Sequence, residues 1–351
     1  MSRWSNTRMS GLAGAWLVCL AAGGPTAADG WQIQSAFSAS TPVLGGGGLA
    51  LVNKLNTAFD GTVTFGLNEP GVLASAAEAI PAVAAGTVQA AWTTAGFEQD
   101  QNSALTFFAG VPFGAEGFRQ FDWIAKGPGK ALMEELMGDI GVVAIACGYV
   151  GPEAGGWFDD PVSTPSDFDG LKIRFFGFGA DVLQKLGANT VLLAGGNISS
   201  AFTNGQIEAW EFSTPYVDRS QGFEALVDNY YYPSWHQPSS TMILAINPTA
   251  WSNLSGNEQN LIRTTCAENA QEMFMQDADL TGPALTAIAD AGVTITPFSA
   301  SIQNATAAAW KQVAAEQANL NPDFKRVYKA YLRFLTPADF LGPVLNILLS
   351  D

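Results

Sequence analysis

The chain has 351 residues, 48% of them apolar and only 14% charged, enough for one large or two medium domains and without the composition of disorder. Thirty-two acids against 16 bases leave a net charge of −16, which argues against nucleic acid or an anionic membrane surface as a partner, because both need clustered lysine and arginine. A small anion stays open, since it needs only one local positive site.

The N-terminus reads as an export signal. Arg3 and Arg8 precede the apolar run GLAGAWLVCLAA (11–22), and small residues suited to cleavage follow as far as Ala28. The run is shorter than the ~20 residues that span a bilayer. Segment 1–28 is therefore expected to be removed, leaving a mature chain that begins near Asp29 in the periplasm. That chain keeps Cys147 and Cys266, both in apolar or helical surroundings. Spacing leaves their pairing open, with free, buried thiols as the default.

From Trp31 the pattern alternates. WQIQSAF reads as a strand, GGGGLALVNKLNTAF as a glycine-rich turn opening a helix, and GTVTFGL as a second strand. AAEAIPAVAAGTVQAAWTT gives helix, turn and strand, and KALMEELMGDIGVVAIACGYV a helix running into a strand. LKIRFFG, TVLLAGG and IEAWEFS read as strands separated by the helices ADVLQKLGA and NISSAFTNGQ. This is an α/β chain with largely parallel sheets. A helix–glycine–strand unit occurs twice, at 84–92 and 203–212, as in two similarly built lobes. The last sixty or so residues are mainly helical. GGGG at 45–48 lacks both the GxGxxG spacing and the lysine of a phosphate loop.

The chemistry is defined as much by what is missing. There is one histidine, His236, and no GxSxG, HExxH or CxxC. A zinc site has too few nitrogen and sulfur ligands, and a nucleophile–histidine pair would have to use His236. Paired carboxylates remain available to an enzyme, because acids are plentiful. The residues left over suit recognition instead. Arg174, one of eight arginines, sits in the strand-like run GLKIRFFGFG with no carboxylate beside it in sequence. It either pairs with a distant acid or waits for a carboxylate ligand, whose two oxygens its planar fork matches. Glu211 in IEAWEFS and Glu153 in GPEAGGWF have the same two readings, ligand site or ordinary salt bridge and solvated loop. Converging acids and carbonyls would hold a hard cation. Trp210, Phe212, Trp235 and the tyrosines at 230–232 offer walls for an apolar pocket, or simply core.

Taken together, VPFG (111–114), GPEAGGWF (151–158), GLKIRFFGFGADVLQKLGA (170–188), LLAGGNISSAFTNGQIEAWEFSTP (192–215), YYYPSWHQPSS (230–240) and NPTAWSNL (247–254) resemble the DctP-type solute-binding receptors of tripartite ATP-independent periplasmic (TRAP) transporters. The branch resembled binds 2-oxo and 2-hydroxy monocarboxylates. The resemblance implies a two-lobed periplasmic-binding-protein fold, type II-like, with hinge strands and a helical C-terminal part. One lobe would comprise 29–152 and 241–290, the other 153–240 and 291–351. It places the carboxylate clamp on Arg174 and a metal ion on Glu211, the Phe212 carbonyl and Glu153, where glutamine is usual. The added charge at Glu153 favours calcium over sodium. Phe97, where tyrosine is usual, Trp235 and His236 would lie near the ligand. Val72, Asn197 and Phe176 are further departures. The implied function is capture of a small organic acid and its delivery to the transporter's membrane subunits, without catalysis; a receptor feeding a sensor and a secreted carboxylate-using enzyme are the alternatives. Some members dimerise by exchanging a long C-terminal helix, a part that 324–334 could play, with packing on its own chain as the other reading.

Overall fold

The structure, a computed structural model, describes residues 30–335 together with Met1. The expected cleavage point near Ala28 and the apolar run before it lie outside the described residues. Among those described, no helix is long and apolar enough to cross a membrane.

In chain order the strands are β1 (Trp31–Ser35), β2 (Phe65–Asn68), β3 (Ala90–Thr93), β4 (Val143–Val150), β5 (Gly156–Phe158), β6 (Lys172–Arg174), β7 (Asn189–Val191), β8 (Ala209–Trp210), β9 (Asn229–Tyr231), β10 (Ser240–Ile246) and β11 (Thr294–Thr296). They form two sheets, one per lobe, in the orders β2-β1-β3-β10-β4 and β11-β9-β5-β8-β6-β7. The α/β, two-lobed class expected from the sequence is the class observed.

The sheets are mixed, which corrects the expectation of largely parallel ones. β1 runs parallel to β2 and β3, and β6 to β7 and β8, as helix crossovers require. β10, however, is antiparallel to β3 and β4, and β5 to β8 and β9. The reason is the crossing of the chain between lobes. β4 leaves the first lobe and continues into β5 of the second, while β9 leaves the second and returns into β10. Neighbouring strands on an outward and a return path must oppose each other.

The twice-repeated unit is present as read. The helices Ala79–Ala84 and Ile198–Thr203 each give way to a glycine at positive φ, Gly86 at 74° and Gly205 at 69°, before β3 and β8. A left-handed residue ends a helix at no steric cost only when it is glycine. GGGG belongs to the first turns of the helix Leu44–Phe59.

A third link between the lobes was not read from the sequence. The 35-residue helix Gly256–Asp290 opens on a Ser255–Glu258 capping box. Its Asn269 side chain donates to the carbonyls of Gly47 and Cys147 in the first lobe. Two turns on, Asp277 accepts a 2.9 Å hydrogen bond from Tyr216 of the second. Cys266 of this helix is joined to Cys147 of β4 by a disulfide, so free thiols, the default expectation, are not what the fold contains. The partners are 119 residues apart, a pairing only the packing of helix on strand can decide.

The C-terminal helices divide. Ala300–Leu320 packs on the second lobe, where Trp310 meets Phe178. Pro322–Leu335 returns to the first: Phe324, Val327 and Tyr331 are buried, and Tyr331 donates to Gln120 at 2.7 Å. The helix at 324–334 thus buries its apolar face on its own chain. As a domain division we propose the two lobes expected, joined by these helices as well as by the crossing strands.

Candidate ligand and cation site

The two crossings run side by side, and their backbones bind each other. Glu153 N–H donates to the Gln237 carbonyl at 3.1 Å, and Ser234 N–H to the Glu153 carbonyl at 3.0 Å. This sets Glu153 and His236 next to one another at the hinge. From the second lobe, β6 ends on Arg174, whose register neighbour in β8 is Trp210. Glu211 follows at once, and its N–H donates to the Arg174 carbonyl at 3.0 Å, which holds the two residues together.

Arg174 does have a fixed partner, which corrects the idea that only a ligand would pair with it. Its Nη1 donates to Glu211 Oε2 at 2.9 Å and to the Glu211 carbonyl, and its Nε to the Leu193 carbonyl at 3.1 Å. The Phe212 ring lies under the guanidinium, 5.7 Å from its carbon. Among the described residues nothing accepts from Nη2, and Arg174 lines the cleft. The sequence alternatives were therefore not exclusive. Nε and Nη1 are spent on the protein, and Nη2 is left without an acceptor among the described residues.

Glu153 turns inward. Its Oε1 accepts from Ser240 at 3.1 Å, and its Oε2 lies 3.5 Å from His236 Nε2. Glu211, fully buried, presents Oε1 at 3.6 Å from the same nitrogen, while its Oε2 also accepts from Phe176 N–H at 3.2 Å. Ligating atoms of Glu153, Glu211 and His236 all fall within 4.8 Å of one another. Burial works to lower the His236 pKa, but the two carboxylates outweigh it and push it up to about 9. At 3.5–3.6 Å these contacts are longer than hydrogen bonds, so the attraction is mainly one of charge. Burial raises the Glu153 carboxyl, with His236 opposing. Burial also raises Glu211, but Arg174 and then His236 pull it net below the ordinary carboxylate range.

The charged cluster opens on a chamber of about 50 Å³ between the lobes. Its polar lining is formed by Glu153, Arg174, Gln237 and Ser240, its apolar lining by residues that include Leu44, Val150 and Met242. Phe37, Phe97, Arg174 and Phe212 are shared with a wider cleft of about 830 Å³. Arg174 is the one lysine or arginine lining either space among the described residues.

Of the residues expected at the ligand, the structure gathers Arg174, Glu153, Glu211 and His236 at the cluster and sets Phe97 and Phe212 on the chamber wall. No backbone hydrogen bond among the described residues ends on the Phe212 carbonyl. Trp235 is elsewhere. It stacks on Phe175 and Phe113 and lines a separate cavity behind the hinge. Trp210 and Tyr230 are core residues against Phe223 and Trp157, not pocket walls. Thr94, Ser213, Gln237, Ser240 and Phe37 also line the chamber and were not singled out. For Gln237 and Ser240 the available signal was only their place as polar residues in the crossing segment PSWHQPSS, whose Ser234 and Ser239 turn elsewhere.

Two lobes joined by crossing strands, with a small anion-sized chamber between facing walls, define a hinged solute receptor. The chain belongs to the DctP family, bacterial extracellular solute-binding protein family 7, whose model matches residues 34–320. It is a solute-binding receptor of the TRAP type and not an enzyme. A monocarboxylate 2-oxoacid-binding periplasmic protein of Nostoc sp. is 33% identical over 264 residues, covering 75% of this chain and 72% of that one. Among solved structures, a TRAP transporter solute-binding protein from Bordetella bronchiseptica, a mixed-occupancy dimer with copurified calcium and picolinate in one site, superposes with a TM-score of 0.85 at 27% identity, covering 90% of this chain and 94% of that one. A TRAP periplasmic solute-binding protein from Colwellia psychrerythraea, with bound calcium and pyruvate, shares the fold at a TM-score of 0.83 and 24% identity over 90% of this chain and 96% of that one.

Proposed function

We propose that this receptor captures a small 2-oxo or 2-hydroxy monocarboxylate beside a bound cation, calcium in preference to sodium, in the periplasm, and hands it to TRAP membrane subunits. One observation carries the reading: Arg174 and the buried carboxylate of Glu153 line one small chamber, with Glu211 paired to Arg174 behind it. A carboxylate on the chamber wall with a second one close behind it would repel an anionic ligand unless positive charge stands between them.

The residues fit a cation. Glu211 Oε1 and Gln237 Oε1 are buried acceptors without hydrogen-bond partners. Unpartnered buried polar atoms are costly and call for a partner of some kind. Glu153, Glu211 and the Phe212 carbonyl form an oxygen-rich set, which suits a hard ion, and two formal negative charges favour a divalent one. A bound cation would supply positive charge for the ligand's carboxylate and 2-oxygen. Arg174 Nη2 would donate to the carboxylate, Ser240 would hold Glu153 in place, and the apolar side chains of the lining would meet the ligand's carbon atoms. The 2-oxoacid-binding relative and the calcium in the Bordetella structure support this reading. With no second lysine or arginine lining the two spaces among the described residues, a second carboxylate has no matching cationic side chain there.

The test is titration calorimetry with pyruvate, before and after chelation. Binding that disappears with chelator and returns with calcium is expected, with calcium found by mass spectrometry in gently purified protein. Unchanged affinity in excess chelator, with no metal in the complex, would overturn the cation. Loss of no affinity in Arg174→Ala would overturn the clamp.

A further inference from the structure

A buried acid stands one peptide away from the candidate cation site. Asp218, in the short helix Pro215–Ser220, is fully buried. Its Oδ2 accepts from Trp157 Nε1 and from the Tyr230 hydroxyl, each at 3.0 Å, and its Oδ1 accepts from Ser213 N–H at 2.9 Å. Trp157 and Tyr230 are register partners in β5 and β9, and β8, which leads to Ser213, lies on the other side of β5. One carboxylate thus ties β9 and β5 to the segment that follows β8. Arg219, next to it in the chain, turns to Glu224 instead. Burial pushes the Asp218 carboxyl well above its usual range, with the Trp157 bond opposing. Charged or protonated, it keeps an oxygen that accepts from Ser213.

That bond constrains the residue before Ser213. The Phe212 carbonyl and the Ser213 N–H belong to one peptide group, which is planar and, being trans, points the two in opposite directions. With the N–H fixed on Asp218 in the core of the lobe, the carbonyl is turned the other way. Phe212 and Ser213 both line the chamber, and among the described residues no backbone N–H reaches the Phe212 carbonyl. Ser213 is held on its far side too, where its carbonyl accepts at 2.8 Å from the N–H of Ala154, the residue after Glu153.

We propose that Asp218 is a positioning residue for the cation site, holding the Phe212–Ser213 peptide so that the Phe212 carbonyl stays aimed at the ion. This rests on the cation reading above and adds to it the residue that orients the backbone ligand. A tilt of this peptide would withdraw one oxygen from the ion and leave the Arg174–Glu211 pair intact. Partners that orient a metal ligand in this way are commonly worth roughly 10–100-fold in metal affinity.

Asp218→Asn tests it, because the amide keeps the shape and has one acceptor oxygen for two sides. The side with two donors, Trp157 and Tyr230, should take that oxygen, which sets the amide NH2 against Ser213 N–H, donor against donor. Titration of calcium by calorimetry, with pyruvate present, should show affinity lowered about tenfold or more. With europium in place of calcium, luminescence decay in light and heavy water counts the waters on the ion, and the variant should carry an additional one where the carbonyl has left. Asp218→Ala, which removes the acceptor outright, should lose at least as much. Tyr230→Phe is the control: it takes a bond from the same carboxylate but leaves Ser213 bonded, so it should lower the unfolding midpoint and keep calcium affinity. Circular dichroism checks that each variant is folded. An unchanged calcium affinity or an unchanged water count in the folded Asp218 variants overturns the proposal. So does a Tyr230→Phe protein that loses as much affinity, which would make Asp218 a core residue only. If the cation reading itself is wrong, the unsubstituted protein takes up no calcium with pyruvate present, and the positioning role falls with it. If only the positioning is wrong, the unsubstituted protein binds calcium and the Asp218 variants bind it equally well.

Discussion

The two walls of the cleft are built from different materials. The first-lobe wall of the small chamber, with Phe37, Leu44, Thr94 and Phe97, carries no charge, whereas the second lobe and the hinge bring Arg174 and Glu153 to it, with Glu211 and His236 paired behind them. The charged wall is held by its own ion pairs and needs no ligand to keep its shape. The apolar wall touches it through few specific contacts: Phe97 on Phe176, and Gln99 donating to Asp181 at 2.9 Å. The difference suggests a division of labour, in which one lobe fixes the ligand's head group and the other closes over it. Hinged closure of this kind changes the surface that a membrane partner would meet.

The hardest blow to that division is Arg174→Ala. Ligand binding should be lost, and because Glu211 would stay buried without its partner, stability should fall by about 3–5 kcal/mol. Calorimetry and denaturant unfolding read the two effects separately. A variant that binds normally would move the head-group site away from the second lobe. Arg174→Lys should also bind poorly, since an ammonium cannot reproduce the contacts of Nε and both Nη atoms.

Reduction of Cys147–Cys266 tests the framework behind the apolar wall. The bond closes a span of 119 residues and joins β4 to the long helix. Its loss should cost about 2–4 kcal/mol, seen as a lower midpoint in thermal unfolding with and without reductant. An unmoved midpoint would mean that packing alone holds helix to strand.

Glu153→Gln sharpens the charged side. Removing one of two carboxylates should weaken calcium by on the order of tenfold and narrow its advantage over sodium, because ligand charge tunes affinity for such ions. Equal calcium affinity in the variant would take Glu153 out of the cation site. The smallest effect belongs to closure. Gln99→Ala removes a hydrogen bond worth about 0.5–1.5 kcal/mol across the lobes. It should raise the ligand's dissociation rate several-fold in stopped-flow fluorescence, and an unchanged rate would show that this bond does not hold the lobes together.

The sequence by itself determined the α/β alternation, the helix–glycine–strand units and the family, because these depend on local periodicity and on motifs kept in order. It also singled out Arg174, Glu153, Glu211, His236 and Phe97 as candidates from their motifs' place in that order, and their role at a ligand is what we propose. Only the tertiary structure decided what pairs with what. The Arg174–Glu211 ion pair, the disulfide, the reversed direction of β10 and β5 and the return of Pro322–Leu335 to the first lobe join residues far apart in the chain. Composition and spacing carry no record of such distances. Trp235 and Phe176 show the same limit in opposite directions. One aromatic turned its face to the back of the hinge, the other to the chamber, and side-chain direction at a crossing is set by the packing of two lobes rather than by the residues beside it.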